Sequence, residues 1–226
     1  MVRKTKEEAE ATREGILDAA ELCFLQHGVF RTTLEHIAAR AGYTRGAVYW
    51  HFKNKLEVLQ AVIDRVTVPL FSGLEEMARE TREPLLALRR FHKEALDDIA
   101  RTPHARNMIE ITMLRCECAD ETREIYEHER RRSTQAVAHI TQTLQRAHKL
   151  GQLRKGVNPT TAALGVRFLI AGALRDWVLN PTQVSVQREG MAALDMFLQG
   201  IAAEGALEKL ESRRKVATAG RTANTE

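Results

Sequence analysis

The stretch TLEHIAARAGYTRGAVYWHFKNK, Thr33 to Lys55, admits very few folds. Leu34, Ile37, Ala38 and Ala41 repeat at helical spacing, with Thr33 placed to cap a short helix and Gly42 to stop it. After the turn Gly42-Tyr43-Thr44, Thr44 can cap a second, shorter helix over 45–51. A helix, a tight turn with glycine and a second short helix make a helix-turn-helix. Four ring side chains then follow one another, Tyr49, Trp50, His51 and Phe52. A helix advances about 100° per residue, so four consecutive rings cannot all face one core. Val48 and Phe52 are four apart and can share the buried side. Tyr49, Trp50 and His51 are left pointing outward.

Outward rings need something to meet. In a helix-turn-helix the second helix lies in the DNA major groove, its first residues facing base edges. That groove is about 12 Å wide, which suits the small Gly46 and Ala47 beside Arg45. A phenol, an indole N–H and an imidazole can each donate to a phosphate oxygen. Lys53 and Lys55 add positive charge at the start of the next helix, opened by Asn54 and Glu57. The net charge of +4 is too mild to decide anything alone. Its distribution is more telling: residues 29–55 hold five basic residues, Arg31, Arg40, Arg45, Lys53 and Lys55, against one acid, Glu35. A local basic patch in a nearly balanced chain points to a polyanion partner. The competing reading is a helical hairpin whose rings pack on another subunit.

The remainder of the chain reads as helices only. A first helix begins at the Thr5–Glu8 capping box and ends at Gly28, with Ile16, Ala19, Ala20, Cys23 and Phe24 on one face. A fourth helix runs from Asn54 to Arg79 or Glu80, with Pro69 expected to kink it. Pro84, Pro103 and the Asn158-Pro159 pair open later helices, Asp120 opens another, and a last helix covers roughly 186–203. There is no strand alternation, repeat or linker. The end, from Ser212, is small and polar and is expected to be disordered.

The segment TTLEHIAARAGYTRGAVYWHFKNKLEVL resembles the N-terminal signature of the TetR family of transcriptional repressors. The opening VRKTKEEAEATREGILDAA and the variant TRGAVYWHFKNK are similar to its AcrR, TtgR and SmeT branch, local repressors of multidrug efflux pumps. The resemblance implies an all-α homodimer: a three-helix DNA-binding head on a six-helix body that holds ligand and builds the dimer. On it, the expected division is 1–55 for arm and head, 56–204 for ligand and dimer, and 205–226 as a tail. The resemblance places Thr44, Arg45 and Gly46 at the groove-entering end of the recognition helix. It places Tyr49, Trp50 and His51 on phosphate, with Lys55 opening the fourth helix and Thr33 touching backbone. Trp50 stands where a tyrosine is commoner in the family. The arm residues Arg3, Lys4 and Lys6 could reach the minor groove or remain a solvated tail.

The same resemblance puts a drug among helices four to eight, walled by Phe91, His92, Ala95, Ile109, Glu110, Met113, Ala136, Ile140, Ile170, Ala171 and Arg175. Helical spacing supports part of this wall: Phe91 with Ala95, Ile109 with Met113 and Ala136 with Ile140 are i, i+4 pairs. The competing reading of the apolar members is plain core. Arg167 and Arg175, on an otherwise apolar helix, call for a ligand anion or an internal partner such as Glu110 or Asp176. Met191, Leu194, Leu198 and Ile201 recur at spacings of 3, 4 and 3, a coiled-coil-like seam expected at the dimer interface. Packing inside one subunit is the alternative for that seam.

Other classes are disfavoured. The chain has eight histidines but no Glu-x-x-His, His-Glu-x-x-His or Gly-x-Ser-x-Gly, so neither a metal, a cofactor nor an enzyme is expected. Cys23, Cys116 and Cys118 are an odd number without a Cys-x-x-Cys pair, as for free thiols in a reducing compartment. No apolar run approaches the roughly 20 residues of a membrane span, and the charged opening lacks a signal peptide's apolar segment. A cytoplasmic regulator binding double-stranded operator DNA and a small hydrophobic ligand is therefore expected. Its rival is a constitutive helical DNA-binding or protein-interaction module without an effector.

Overall fold

The structure is a computed structural model that describes residues 6–116 and 122–207. The expectations for Arg3, Lys4, Thr5, Cys118, Asp120 and the tail beyond Leu207 lie outside the described residues. Among those described, the chain is all-α: α1 (Lys6–Arg31), α2 (Leu34–Ala41), α3 (Arg45–His51), α4 (Lys55–Arg79), α5 (Pro84–Arg101), α6 (Pro103–Glu110), α7 (Arg123–Lys149), α8 (Pro159–Leu179) and α9 (Met191–Ile201). Wide π-type turns, Ile111–Arg115 and Val186–Gly190, extend α6 and precede α9. The β pairing among these residues is an isolated bridge between Leu153 and Ala202. No helix of the described residues is long and apolar enough to cross a membrane.

The chain divides into two compact units. The first combines Met1–Pro69 with Thr102–Arg131. Its core gathers Ile16, Leu17, Ala20 and Phe24 of α1, Leu34 and Ile37 of α2, Val48 of α3, and Val58, Leu59, Val62 and Ile63 of α4. The face Ile16-Ala19-Ala20-Cys23-Phe24 is buried as its spacing predicts. Gly28 breaks α1 with φ 77 and ψ 164, a backbone state open to glycine at little cost. Thr32 then donates to the Gly28 carbonyl at 2.8 Å, which steadies the entry to α2. On its other side α1 packs against α6 and the turn Ile111–Arg115.

The second unit combines Leu70–Arg101 with Arg132–Glu226. Leu85, Leu88 and Leu96 of α5, Leu144 of α7, Val166 of α8, and Leu194 and Leu198 of α9 form its core. Arg89 clasps Asp195 with two bonds, Nε to Oδ1 at 2.6 Å and Nη2 to Oδ2 at 2.9 Å, joining α5 to α9. Asn158 caps α8 by accepting from the amides of Thr160 and Thr161, with Pro159 at the first position. α4 runs through Pro69 as one helix.

Candidate nucleic-acid interface

The helix-turn-helix is assembled by caps. Thr33 Oγ1 accepts from the His36 amide at 3.2 Å and starts α2. Gly42, at φ 70, ends it in the left-handed region and donates to the carbonyls of Ala38 and Ala39. Thr44 Oγ1 accepts from the Ala47 amide at 3.2 Å and starts α3. Tyr43, in the turn, lies against α1, where a side chain at Gly15 would meet its hydroxyl at 3.0 Å. Thr33 and Thr44 thus act as caps in the free chain, and both remain exposed.

The rings of α3 divide as the sequence predicts. Val48 and Phe52 are buried, while Tyr49 and Trp50 are 43% and 73% exposed. His51 is half-buried and meets Trp50 edge to face, with centroids 4.5 Å apart. Arg45 is exposed; its Nε lies 3.0 Å from Glu35 Oε1, and its guanidinium sits 5.3 Å from the Tyr49 ring centroid. A Cβ placed on Gly46 would come no closer than 4.0 Å to a neighbouring side chain, Thr44 Oγ1. Lys55 opens α4 as expected and has a further contact. Its ammonium donates to the Phe30 carbonyl at 3.0 Å, so it also fastens α4 to the end of α1. Lys53 is the more open of the two lysines, its side chain 88% exposed.

Beneath this surface lies an ionic junction the sequence reading did not single out. Arg65 of α4 reaches Glu14 Oε2 at 2.7 Å, Asp18 Oδ1 at 2.8 Å and Glu21 Oε1 at 3.0 Å, all on α1. From α6, His104 Nδ1 lies 2.9 Å from Glu21 Oε2, and Asn107 donates to that oxygen at 3.1 Å. The Glu21 side chain is 2% exposed. Asp18, Glu21 and His104 bring ligating atoms within 4.8 Å of one another, as a metal site would. The cation among them is the Arg65 guanidinium, 3.2 Å from His104 Nδ1. One signal was available: Glu21 lies four residues from Leu17 on the buried face of α1, an acid where an apolar residue is the rule.

The expected ligand wall falls in both units. In the second, Phe91 is half-buried over Gly73 and meets the His92 ring edge to face at 5.0 Å. His92 is buried, its Nδ1 2.8 Å from the Leu88 carbonyl, and burial pushes its pKa down, keeping the ring neutral. Ile140 is buried, and Ala95, Ala136 and Ile170 are half-buried. A cleft of about 440 Å³ between α4 and α5 takes in Phe91 but is rimmed by Glu76, Arg79, Glu80, Arg90 and Glu94. Ala171 and Arg175 are exposed, on the open face of α8 rather than a wall. In the first unit, Ile109 is buried, Met113 is 38% exposed, and Glu110 pairs with Arg115 at 3.6 Å. Arg167 is held by Ser133 Oγ at 3.1 Å, so its partner is a hydroxyl rather than Glu110 or Asp176.

The expected dimer seam needs correction. Met191, Leu194 and Leu198 are 8%, 0% and 0% exposed within the single chain, and Ile201 is half-buried. Their own neighbours, α5, α8 and the turn Val186–Gly190, cover them. The exposed large apolar side chains are instead Leu164, the 62%-exposed Phe168 and Leu179 on α8, and Met196 on α9, 68% exposed. The 3–4–3 spacing puts these residues on one helix face; which neighbour covers that face is a tertiary matter.

Residues 16–62 match the family described as "Bacterial regulatory proteins, tetR family", and residues 83–202 match "MAATS-type transcriptional repressor, C-terminal region". The chain belongs to the TetR family. Its relatives include the HTH-type transcriptional regulator TtgR of Pseudomonas putida, 35% identical over 92% of this chain and 100% of TtgR. Among solved structures, a SmeT–triclosan complex shares 44% identity and a TM-score of 0.78, covering 87% of this chain and 94% of that one. SmeT is described as the repressor of the Stenotrophomonas maltophilia multidrug efflux pump SmeDEF. NalD of Pseudomonas aeruginosa, described as the secondary repressor of the MexAB-OprM pump, shares 32% identity and a TM-score of 0.78, covering 88% and 100%. As a member of a family of transcriptional regulators, this TetR-family protein is a DNA-binding repressor and not an enzyme.

Proposed function

We propose that this TetR-family repressor works in the cytoplasm as a homodimer, binds a pseudo-palindromic operator, controls a multidrug efflux operon and is released by small hydrophobic drugs. In this reading residues 1–55 carry DNA recognition and 56–204 carry ligand and dimerisation. The observation that carries it is the division of α3: Val48 and Phe52 are buried while Arg45, Tyr49 and Trp50 stand open beside the exposed Gly46. Likeness to TtgR, SmeT and NalD supports the efflux assignment, and the SmeT–triclosan complex supports a small-molecule effector. A two-fold dimer reads successive major grooves only while its two α3 helices keep a spacing of roughly 34–36 Å. A ligand releases the repressor only if it favours another spacing.

The dimer in this reading is built on α8 and α9 through Leu164, Phe168 and Met196, large apolar side chains that the single chain leaves exposed. Arg45, Gly46 and Thr44 enter the groove, Tyr49, Trp50, His51, Thr33 and Lys55 meet backbone, and the cleft beside Phe91 is one candidate entrance for a drug.

Gel shifts on the DNA upstream of the chain's own gene, with and without triclosan, test the proposal. No shift at low salt would reject it, and a shift that no hydrophobic ligand relieves would leave a constitutive binder. Within the same assay, Tyr49→Phe removes one phosphate donor and is expected to weaken operator and random duplex alike, by about 1 kcal/mol. Arg45→Ala is expected to cost about 1–3 kcal/mol on the operator and to relax base preference as well. Unchanged discrimination in Arg45→Ala would remove Arg45 from the base-reading role.

A further inference from the structure

Glu35 is the one acid among the five basic residues of 29–55, and the fold aims it at the side chain that reads bases. Its Oε1 lies 3.0 Å from Arg45 Nε. Tyr49 flanks the same guanidinium, ring and hydroxyl, with Nη2 3.5 Å from the phenol oxygen. Both members of the ion pair are exposed, 66% for Arg45 and 47% for Glu35, so the pair contributes little to folding. Its place on a DNA-facing surface is therefore worth explaining, since a carboxylate there opposes attraction to phosphate on every duplex.

The geometry supplies a use for it. With Nε on Glu35 and Nη2 3.5 Å from the Tyr49 hydroxyl, the terminal edge of the exposed Arg45 guanidinium is the one that remains to meet a further partner, and it has the shape of a fork. A fork of that kind matches the paired acceptors of a guanine edge. A phosphate reached by the same fork would bring a full negative charge close to the Glu35 carboxylate, whereas a base edge brings neutral acceptors. At short range that difference in repulsion falls on the wrong partner only.

We propose that Glu35 is a specificity-determining residue, which holds Arg45 in position for a base edge and penalises its capture by phosphate. This rests on the reading that α3 enters the major groove. A purely structural role would be different in kind: Glu35 is in the first turn of α2, where a negative charge suits the helix dipole.

The test uses the full-length wild-type chain to enrich a binding sequence from a random duplex pool. Affinity for that duplex and for a scrambled duplex of equal composition is then measured for the wild type and for Glu35→Gln, which keeps size and an acceptor but loses charge. Binding to the scrambled duplex is expected to tighten about fivefold, with a steeper salt dependence, and binding to the enriched duplex by less than about twofold. In an Arg45→Ala background the same change should leave the ratio alone. Equal tightening on both duplexes overturns the proposal, because net charge alone would explain it. A lowered melting temperature with both duplexes weakened also overturns it, in favour of the role in α2. A pool that yields no enriched sequence overturns the groove reading and the proposal together, while an enriched sequence with an unchanged ratio overturns the proposal alone.

Discussion

Arg65→Met is expected to lower the unfolding free energy by about 3 kcal/mol or more, because it leaves the buried Glu21 carboxylate without its cation. Glu21 is 2% exposed at its side chain and Arg65 only 16%, so water cannot take the place of the lost partner. His104 and Asn107 would still contact Glu21, but neither brings the permanent charge of a guanidinium. Asp18 and Glu14 are 56% and 44% exposed and can turn to solvent. Thermal unfolding of this 226-residue chain should show a drop of about 6–12 °C. The double variant Arg65→Met with Glu21→Leu removes both buried charges and should recover most of the loss. A double variant no more stable than Arg65→Met would mean that the packing of the arginine stem, and not the ion pair, holds α1 to α4.

Phe168→Glu is expected to convert the dimer to monomers and to weaken operator binding by about 100-fold or more, since the second half-site then binds without linkage to the first. Phe168 is 62% exposed on α8, one of the exposed large apolar side chains with Leu164 and Met196. Two-fold symmetry pairs a patch with its own copy, so one substitution places charge on both sides of the same contact. Leu194→Ala makes the contrast. Leu194 is fully buried inside the subunit, and its loss should cost about 3 kcal/mol of folding stability while the surviving folded protein stays dimeric. Light scattering after size exclusion, with thermal melts of both variants, separates the two surfaces. A dimeric Phe168→Glu alongside a folded but monomeric Leu194→Ala would restore the seam read from the sequence.

Local chemistry was legible where it acts over a turn or two of helix. Thr33 and Thr44 accept the amide bonds their positions predict, Gly42 takes the left-handed φ of 70 that ends α2, and Pro84, Pro103 and Pro159 open their helices. Glu57 took a shifted role: Asn54 accepts from its amide, but its carboxylate accepts from Lys53 rather than closing back on Asn54. The second contact of Lys55 lay beyond local rules for a related reason. Its partner, the Phe30 carbonyl, is 25 residues away, and no spacing rule reaches that far. The same limit hid the Arg65 junction, whose members come from three helices.

By itself the sequence determined the helices, their ends, and the side of α3 that meets solvent, because capping bonds and a 3.6-residue period are properties of neighbours along the chain. Only the tertiary structure decided which apolar faces are left open. Leu194 and Phe168 are both large apolar residues on helices, yet α5, α8 and the turn Val186–Gly190 cover the α9 face of Leu194, while Phe168 stays 62% exposed. Burial is set by what packs across from a residue, and charge pairing by what folds up beside it. Neither is written in spacing.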